Sequence, residues 1–450
     1  MPNIETDLTT GNIKNKLLLF SIPFLLSHIL QSIYDVVDMF VVGRYVGPVG
    51  ISAINNGGQV ISMLTNIIAG LCTGATVIVG QYYGASKKNE IQKIFQTLVT
   101  VLFILGFVIF VCIQLGANSI LLLMKVPESS LNDTKNYLLI TVCGIFFILG
   151  YNLFSAIMRG LGDSKNPLIF ISIACFANII FDFLLVGGLK LGVAGAALGT
   201  IFAQGISMIC SGIFLMRNSN LFHKIKIKID YEKVKMIFKV GIPISIQNVV
   251  INISFLVIAV LVNEIGVNAS AAVGVVSKIN NFAIMPAVAM GASISALVAQ
   301  NIGASKHKRA KSALYFGTFI TEIIGLIMFL IIRCFPKEIL SFFSADVGMI
   351  NAGMDYLLFL SIDFLFAPIL LCLNGFLIGI GRTAFSSLES IMTSIGIRIP
   401  TAFLFGKILG WGIKGVGLAA PSATISGLIA ALIFYNLCQW ERNSYLVKNN

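Results

Sequence analysis

Charge is what this sequence has least of: 11% of its 450 residues are Asp, Glu, Lys or Arg, where a soluble domain carries roughly 25%. A water-facing surface cannot be built from that supply, so a soluble globular protein is excluded. Acids are the scarcer sign, 19 against 31 basic residues, for a formal net charge of +12. The basic excess lies between apolar runs and is not interleaved with aromatics on a polar face, which argues against nucleic acid as a partner. The eight cysteines stand singly in or beside apolar runs, without a CxxC pair or a partnering His. They read as packing residues, neither a disulfide framework nor a metal centre. Phosphate-binding loops, Gly-x-Ser-x-Gly, His-Glu-x-x-His and dinucleotide fingerprints are missing, so an enzyme has no support and no organic cofactor is expected. The first ten residues lack the basic start of a cleavable signal peptide, and the first helix is expected to stay in the mature chain.

What the chain has in abundance is apolar sequence: 57% of residues are hydrophobic and mean hydropathy is +0.93. A membrane helix needs about 20 such residues to cross a hydrocarbon core of roughly 30 Å. The pattern predicts crossings near 15–42, 52–80, 92–117, 135–158, 167–188, 193–216, 236–263, 270–300, 312–333, 350–378, 386–406 and 413–438. The expected fold is therefore an all-α polytopic membrane protein with about 12 transmembrane helices. With the first segment inside, 21 of the 31 Lys and Arg fall in inner segments and 8 in outer ones. That bias puts both termini in the cytoplasm of a plasma-membrane protein. The densest basic stretch, with Lys224, Lys226, Lys228, Lys233, Lys235 and Lys239, divides the chain near its middle. It predicts an N-lobe over 1–216, a basic cytoplasmic linker over 217–235 and a C-lobe over 236–450, the linker reading as a solvated loop that sets orientation.

An internal repeat supports that division. A shift of 219 lays Gln81, Gly84, Ala85, Ser86 and Lys87 onto Gln300, Gly303, Ala304, Ser305 and Lys306, and Gly160 and Gly162 onto Gly379 and Gly381. At 220, Pro23 falls on Pro243, Gly192 on Gly412, Gly195 on Gly415 and Leu198 on Leu418. Each half holds an even number of crossings, so the two six-helix lobes form a parallel repeat about an axis along the membrane normal, with a cleft expected between them.

Carboxylates inside such helices are the first place to look for chemistry, since a charge at the bilayer centre costs at least about 2.5 kcal/mol. Asp35 and Asp38 lie one turn apart in the first crossing, and Asn178 and Asp182 one turn apart in the fifth. The repeat sets Phe255, Ile258 and Ala402 opposite Asp35, Asp38 and Asp182, so ion chemistry is expected in the N-lobe. Two carboxylates converging in a low-dielectric pocket cannot both ionise cheaply, and either a proton or Na⁺ relieves them. In the C-half, Lys278, Asp363 and Arg398 are intramembrane charges expected to pair across the cleft, to bind an anion or, equally, to join a buried structural network. Pro243, Pro286, Pro368, Pro400 and Pro421 interrupt predicted helices, where a hinge or an ordinary membrane proline serves equally.

The segment from Asp38 to Gly43, the Asn178/Asp182 pair, the run from Gly192 to Thr200, the Gly80-Gln-Tyr-Tyr-Gly-Ala-Ser-Lys87 end of the second crossing and Arg159-Gly-Leu-Gly-Asp163 together resemble the multidrug and toxic compound extrusion (MATE) family. The likeness spans nearly the whole chain and is nearest to the branch with its essential acids in the N-lobe. It implies a secondary antiporter that exports hydrophobic or cationic compounds in exchange for Na⁺ or H⁺ by alternating access of the two lobes. By that resemblance Asp38, Asn178, Asp182 and Thr200 match the cation site and a possible Na⁺ position, with Tyr137 and Asn152 beside it. The branch with acids in the seventh and tenth helices fits less well: the seventh helix offers Gln247, Asn248 and Asn252, and Ala367 stands where the tenth-helix acid is expected, one turn from Asp363. Asp35, Gln204, Gln247, Asn252 and Asp363 are candidates for the substrate cleft. The expected partners are a small amphiphilic or cationic substrate and membrane lipid, and a monomer suffices. A flippase for lipid-linked saccharides is the alternative within the same superfamily.

Overall fold

A computed structural model describes residues 6–219, 229–438 and 440. Among these residues there is no β-strand, and long apolar runs wind into helices because a backbone in hydrocarbon must bond within its own segment. Six helical segments occupy the first half: α1 Ile13–Tyr45, α2 Pro48–Gly84, α3 Lys88–Leu123, α4 (Glu128–Cys143 and Ile145–Gly160), α5 Lys165–Gly188 and α6 Gly192–Asn218. Six more follow: α7 Tyr231–Ile265, α8 Val267–Gly303, α9 His307–Cys334, α10 (Val347–Leu360 and Asp363–Gly379), α11 Thr383–Ile408 and α12 Ile413–Leu437. Ten are long and apolar enough to span a membrane alone, and α4 and α10 make twelve when each bent pair is taken as one span. All twelve predicted crossings fall on these helices, to within one residue at the last end. The bends, 50° in α4 and 49° in α10, fall at Gly144 and at Ser361-Ile362, while α1, α7 and α8 run unbroken through Pro23, Pro243 and Pro286.

The chain forms two compact units, each with helices from one half of the sequence plus a short segment from the other. Ile22–Ile242 makes up the bulk of one unit, so the first three turns of α7 belong to it. Leu8–Ser21, including the start of α1, belongs with everything from Pro243 onward. Within the first unit Gly74 and Gly241 let α2 and α7 touch: a β-carbon on Gly74 would lie 3.0 Å from the Gly241 Cα. The predicted linker over 217–235 is shorter than expected, because α6 runs to Asn218 and α7 starts at Tyr231. Lys233, expected in a solvated loop, is instead 6% exposed, with its ammonium 2.6 Å from Glu90 and 3.0 Å from the Tyr82 hydroxyl. Lys224, Lys226 and Lys228 lie outside the described residues.

The repeat is visible as recurring geometry in each unit. The turn after α2 places Ser86 at φ 59°, and the turn after α8 places Ser305 at φ 57°. Each is closed by the same bonds, from the Ala85 and Ala304 amides to the Gln81 and Gln300 carbonyls, both at 3.0 Å. Gly162 and Gly381 turn the chain after α4 and α10 at φ 89° and 86°, a region closed to most side chains. In one unit a β-carbon on Gly160 would sit 2.9 Å from both the Thr76 carbonyl oxygen and Val79 Cβ. In the other, a β-carbon on Gly379 would sit 2.7 Å from the Ser295 carbonyl and 2.9 Å from Val298 Cβ. Each pair of helices thus packs through the repeat-related glycine and the same facing positions, the close approach by which membrane helices associate without a hydrophobic drive.

Filling either contact should overpack it by about 1–3 kcal/mol. Gly160→Val and Gly379→Val are each expected to lower the melting temperature of detergent-purified protein by several degrees. Gly274→Ala, whose new β-carbon would meet nothing within 4 Å, should not. Unchanged melting in both valine variants would contradict the glycine-mediated packing.

Candidate functional site

The N-terminal unit gathers its polar groups where α1, α4, α5 and α6 approach. Asp38 lies about two turns before the end of α1 and is 6% exposed, whereas Asp182, at the end of the regular α-helical part of α5, is 0% exposed. Beyond Asp182 the helix widens into a π-turn over Phe183–Gly188, an irregularity that often marks functional positions. Asp38 and Asp182 lie close enough to act on each other electrostatically. The Asn178 amide Nδ2 lies 3.5 Å from Asp182 Oδ1, and the Tyr34 hydroxyl lies 3.2 Å from Thr200 Oγ1. Small residues on α6 make this possible: a β-carbon on Gly199 would stand 2.6 Å from Asp182 Oδ1.

Three oxygens here are buried without a partner: Asp38 Oδ1, Asp182 Oδ2 and Asn178 Oδ1; Gln204 Oε1, one turn along α6 from Thr200, is unpartnered as well. A buried acceptor left unpaired costs roughly 1–3 kcal/mol, so this set holds capacity for a cation or a proton. Tyr137 is 6% exposed, and its ring fills the space beside Gly57. Asn152 is placed differently: its amide donates to the Ile148 carbonyl of its own helix at 2.8 Å. Asp35, one turn before Asp38, is exposed while Asp38 is buried, so the expected shared face divides between surface and interior. Tyr34 was missed by sequence reasoning, although its i, i+4 spacing to Asp38 signals a common helix face.

In the other unit the cleft candidates are committed to neighbours of their own. Gln247 donates from Nε2 to Ser390 Oγ at 2.8 Å and accepts at Oε1 from Ser387 Oγ at 3.2 Å. Asn252 is exposed, with its amide on the Asn248 carbonyl. Asp363 is 5% exposed, and its Oδ1 has no partner. Lys278 is exposed, whereas Arg398 is half-buried, bonded to Ser254 Oγ at 3.1 Å and stacked 4.7 Å from the Phe255 ring centre. Neither Asp363 nor Arg398 forms an ion pair among the described residues, so their expected mutual pairing is not realised. At the repeat shift of 220, Arg398 occupies the position of Asn178, so a fixed cation and Ala402 replace the amide and acid of the first unit. No group of three or more His, Cys, Asp or Glu side chains able to hold a metal occurs among the described residues.

The family profile described as MatE matches residues 23–184 and again 243–404, one copy for each half. The chain is 28% identical to the probable multidrug resistance protein YoeA of Bacillus subtilis (strain 168), over 94% of this chain and 93% of that protein. It is 27% identical to the probable multidrug resistance protein YpnP of the same organism, over 97% of each. A MOP superfamily transporter from Pyrococcus furiosus has the same fold, with a TM-score of 0.88 at 20% identity, covering 98% of this chain and 97% of that one. With a duplicated match across both halves and twelve candidate spans beneath it, the chain belongs to the MATE family of multi-pass membrane transporters.

Proposed function

We propose that this protein is a cation-coupled antiporter that expels hydrophobic or cationic compounds, with Asp38 and Asp182 as the coupling pair. The observation that carries the reading is the convergence of two buried carboxyls with unpaired oxygens of Asn178 and of the acids themselves. Two neighbouring buried carboxyls call for a proton or a cation, because two like charges do not both persist cheaply in a low-dielectric site. Every nearby donor atom that could face the ion is an oxygen, from Asp38, Asp182, Asn178, Thr200 or Tyr34, a set that suits Na⁺ and H⁺ alike. Loading the pair removes its charge and reorders the partners of α1, since Asp38 lies on α1 and Asp182 and Thr200 on α5 and α6. Alternating access then follows if substrate and ion favour different arrangements of that helix. YoeA and YpnP are named as probable multidrug resistance proteins, which favours drug-like cargo over lipid-linked saccharides. The basic bias of the inner segments supports cytoplasmic termini in the plasma membrane.

Reconstituted protein should move a fluorescent lipophilic cation against its gradient when either a Na⁺ or a proton gradient is imposed separately, and the effective gradient identifies the ion. Accumulation driven by neither would remove secondary coupling. Asp38→Asn and Asp182→Asn, at normal membrane levels, should each reduce gradient-driven efflux by at least about tenfold, equivalent to about 1.4 kcal/mol in coupling. Undiminished efflux in either variant would exclude that residue. Gly199→Ala, which pushes a methyl group onto Asp182 Oδ1, should produce a partial loss in the same assay.

A further inference from the structure

The C-terminal unit contains a second carboxyl that the coupling pair does not use. Glu389 lies six residues into α11, roughly 9 Å along its axis, and is 5% exposed. Its carboxylate accepts from Asn374 Nδ2 at 3.2 Å and Ser390 Oγ at 3.1 Å, with a third neutral donor, Thr393 Oγ1 at 3.5 Å, shared with the Ser390 carbonyl at 3.2 Å. The chain extends outward, since Ser390 accepts from Gln247 Nε2 at 2.8 Å and Gln247 accepts from Ser387 Oγ at 3.2 Å. Every donor in this row points toward Glu389, the polarity expected around an ionised acceptor.

No cation forms an ion pair with that carboxylate among the described residues. Arg398 is the charged group that acts on it electrostatically, but its guanidinium is held on α7 by Ser254 and Phe255. The other packed elements present neutral groups to Glu389: Asn374 from α10, Gln247 from α7 through Ser390, and Gly427 from α12. Asn374 supplies the independent sign of a ligand. It is 7% exposed, and while its Nδ2 serves Glu389, its Oδ1 is buried with no partner. An amide with a satisfied donor and an orphaned acceptor beside a carboxyl suits two states. It donates to the carboxylate as found, and after a half-turn it accepts from the acid O–H, while the Ser390 and Thr393 hydroxyls rotate freely to match.

We infer that Glu389 is a second proton-binding site of this transporter, with Asn374 as the amide that serves both its ionised and its protonated form. Volume selects the proton over a metal cation: α12 approaches so closely that a β-carbon on Gly427 would overlap Glu389 Oε1. A proton adds to one carboxyl oxygen without displacing anything, whereas Na⁺ needs a shell of oxygens around it. The site is not a copy of the first, because the 219 shift sets Ser155 and Phe170 opposite Asn374 and Glu389. It extends the coupled-antiport reading but stands on the geometry of this unit alone.

The test is infrared difference spectroscopy between acid and alkaline pH on the full chain in lipid nanodiscs. A carboxylic-acid C=O band should be lost in Glu389→Gln and kept in the double variant Asp38→Asn/Asp182→Asn, which separates this site from the coupling pair and needs no transport. Asn374→Leu should raise the midpoint of that band by at least about one pH unit, because the charge-assisted bond to the carboxylate that it removes outweighs the weaker bond lost by the protonated acid. The inference is overturned if the wild-type difference spectrum persists in folded Glu389→Gln. If Glu389→Gln does not fold, an unshifted midpoint in Asn374→Leu overturns it.

Discussion

Hydrocarbon gives an oxygen nothing to bond with, and that constraint orders this molecule at every scale. It forces the backbone into helices, because only a helix satisfies each amide and carbonyl within one segment. It also removes the usual drive for helices to pack, so association relies on backbone approach, seen at Gly160, Gly379 and Gly74. The few side-chain oxygens that remain inside the spans are thereby made conspicuous. Where several of them are both buried and unpartnered, as around Asp38 and Asp182, the deficit is local and chemical in kind.

The two units meet this constraint with different chemistry on one scaffold. The first gathers acids and an amide between α1, α5 and α6. The second, at the position equivalent to Asn178, carries Arg398, and it holds buried carboxyls at Asp363 on α10 and Glu389 on α11, the latter received by Asn374 and two hydroxyls. Backbone features are more alike between the units than side-chain chemistry: the turns at Ser86 and Ser305 differ in φ by 2°, while Asn178 and Asp182 stand opposite Arg398 and Ala402.

Much of the fold could be read before the structure because its signals are collective. Runs of 20 or more apolar residues locate a span whatever their exact composition, and repeated Gly at one offset identifies duplicated packing. The buried acids Asp38 and Asp182 were legible for a related reason, since a carboxylate deep in an apolar run is rare. Legibility failed where the deciding information was orientation. Asp35 and Asp38 share a helix and a turn, yet one is exposed and the other buried, because α1 is covered on only part of its circumference. Lys233 read as a loop charge, since nothing in its neighbourhood reveals that Glu90 and Tyr82, more than 140 positions earlier, close around it. Glu389 sits near the start of its predicted crossing, where an acid is unremarked. Only three donors from α10 and α11 distinguish it from an ordinary helix-end charge.

The boundary between the units does not coincide with the middle of the sequence. Each unit is completed by a stretch taken from the opposite half of the chain, Leu8–Ser21 in one case and the start of α7 up to Ile242 in the other. Two helices, α1 and α7, are therefore each divided between the units. Cutting the chain at its basic middle stretch would leave each half without a part of its own unit.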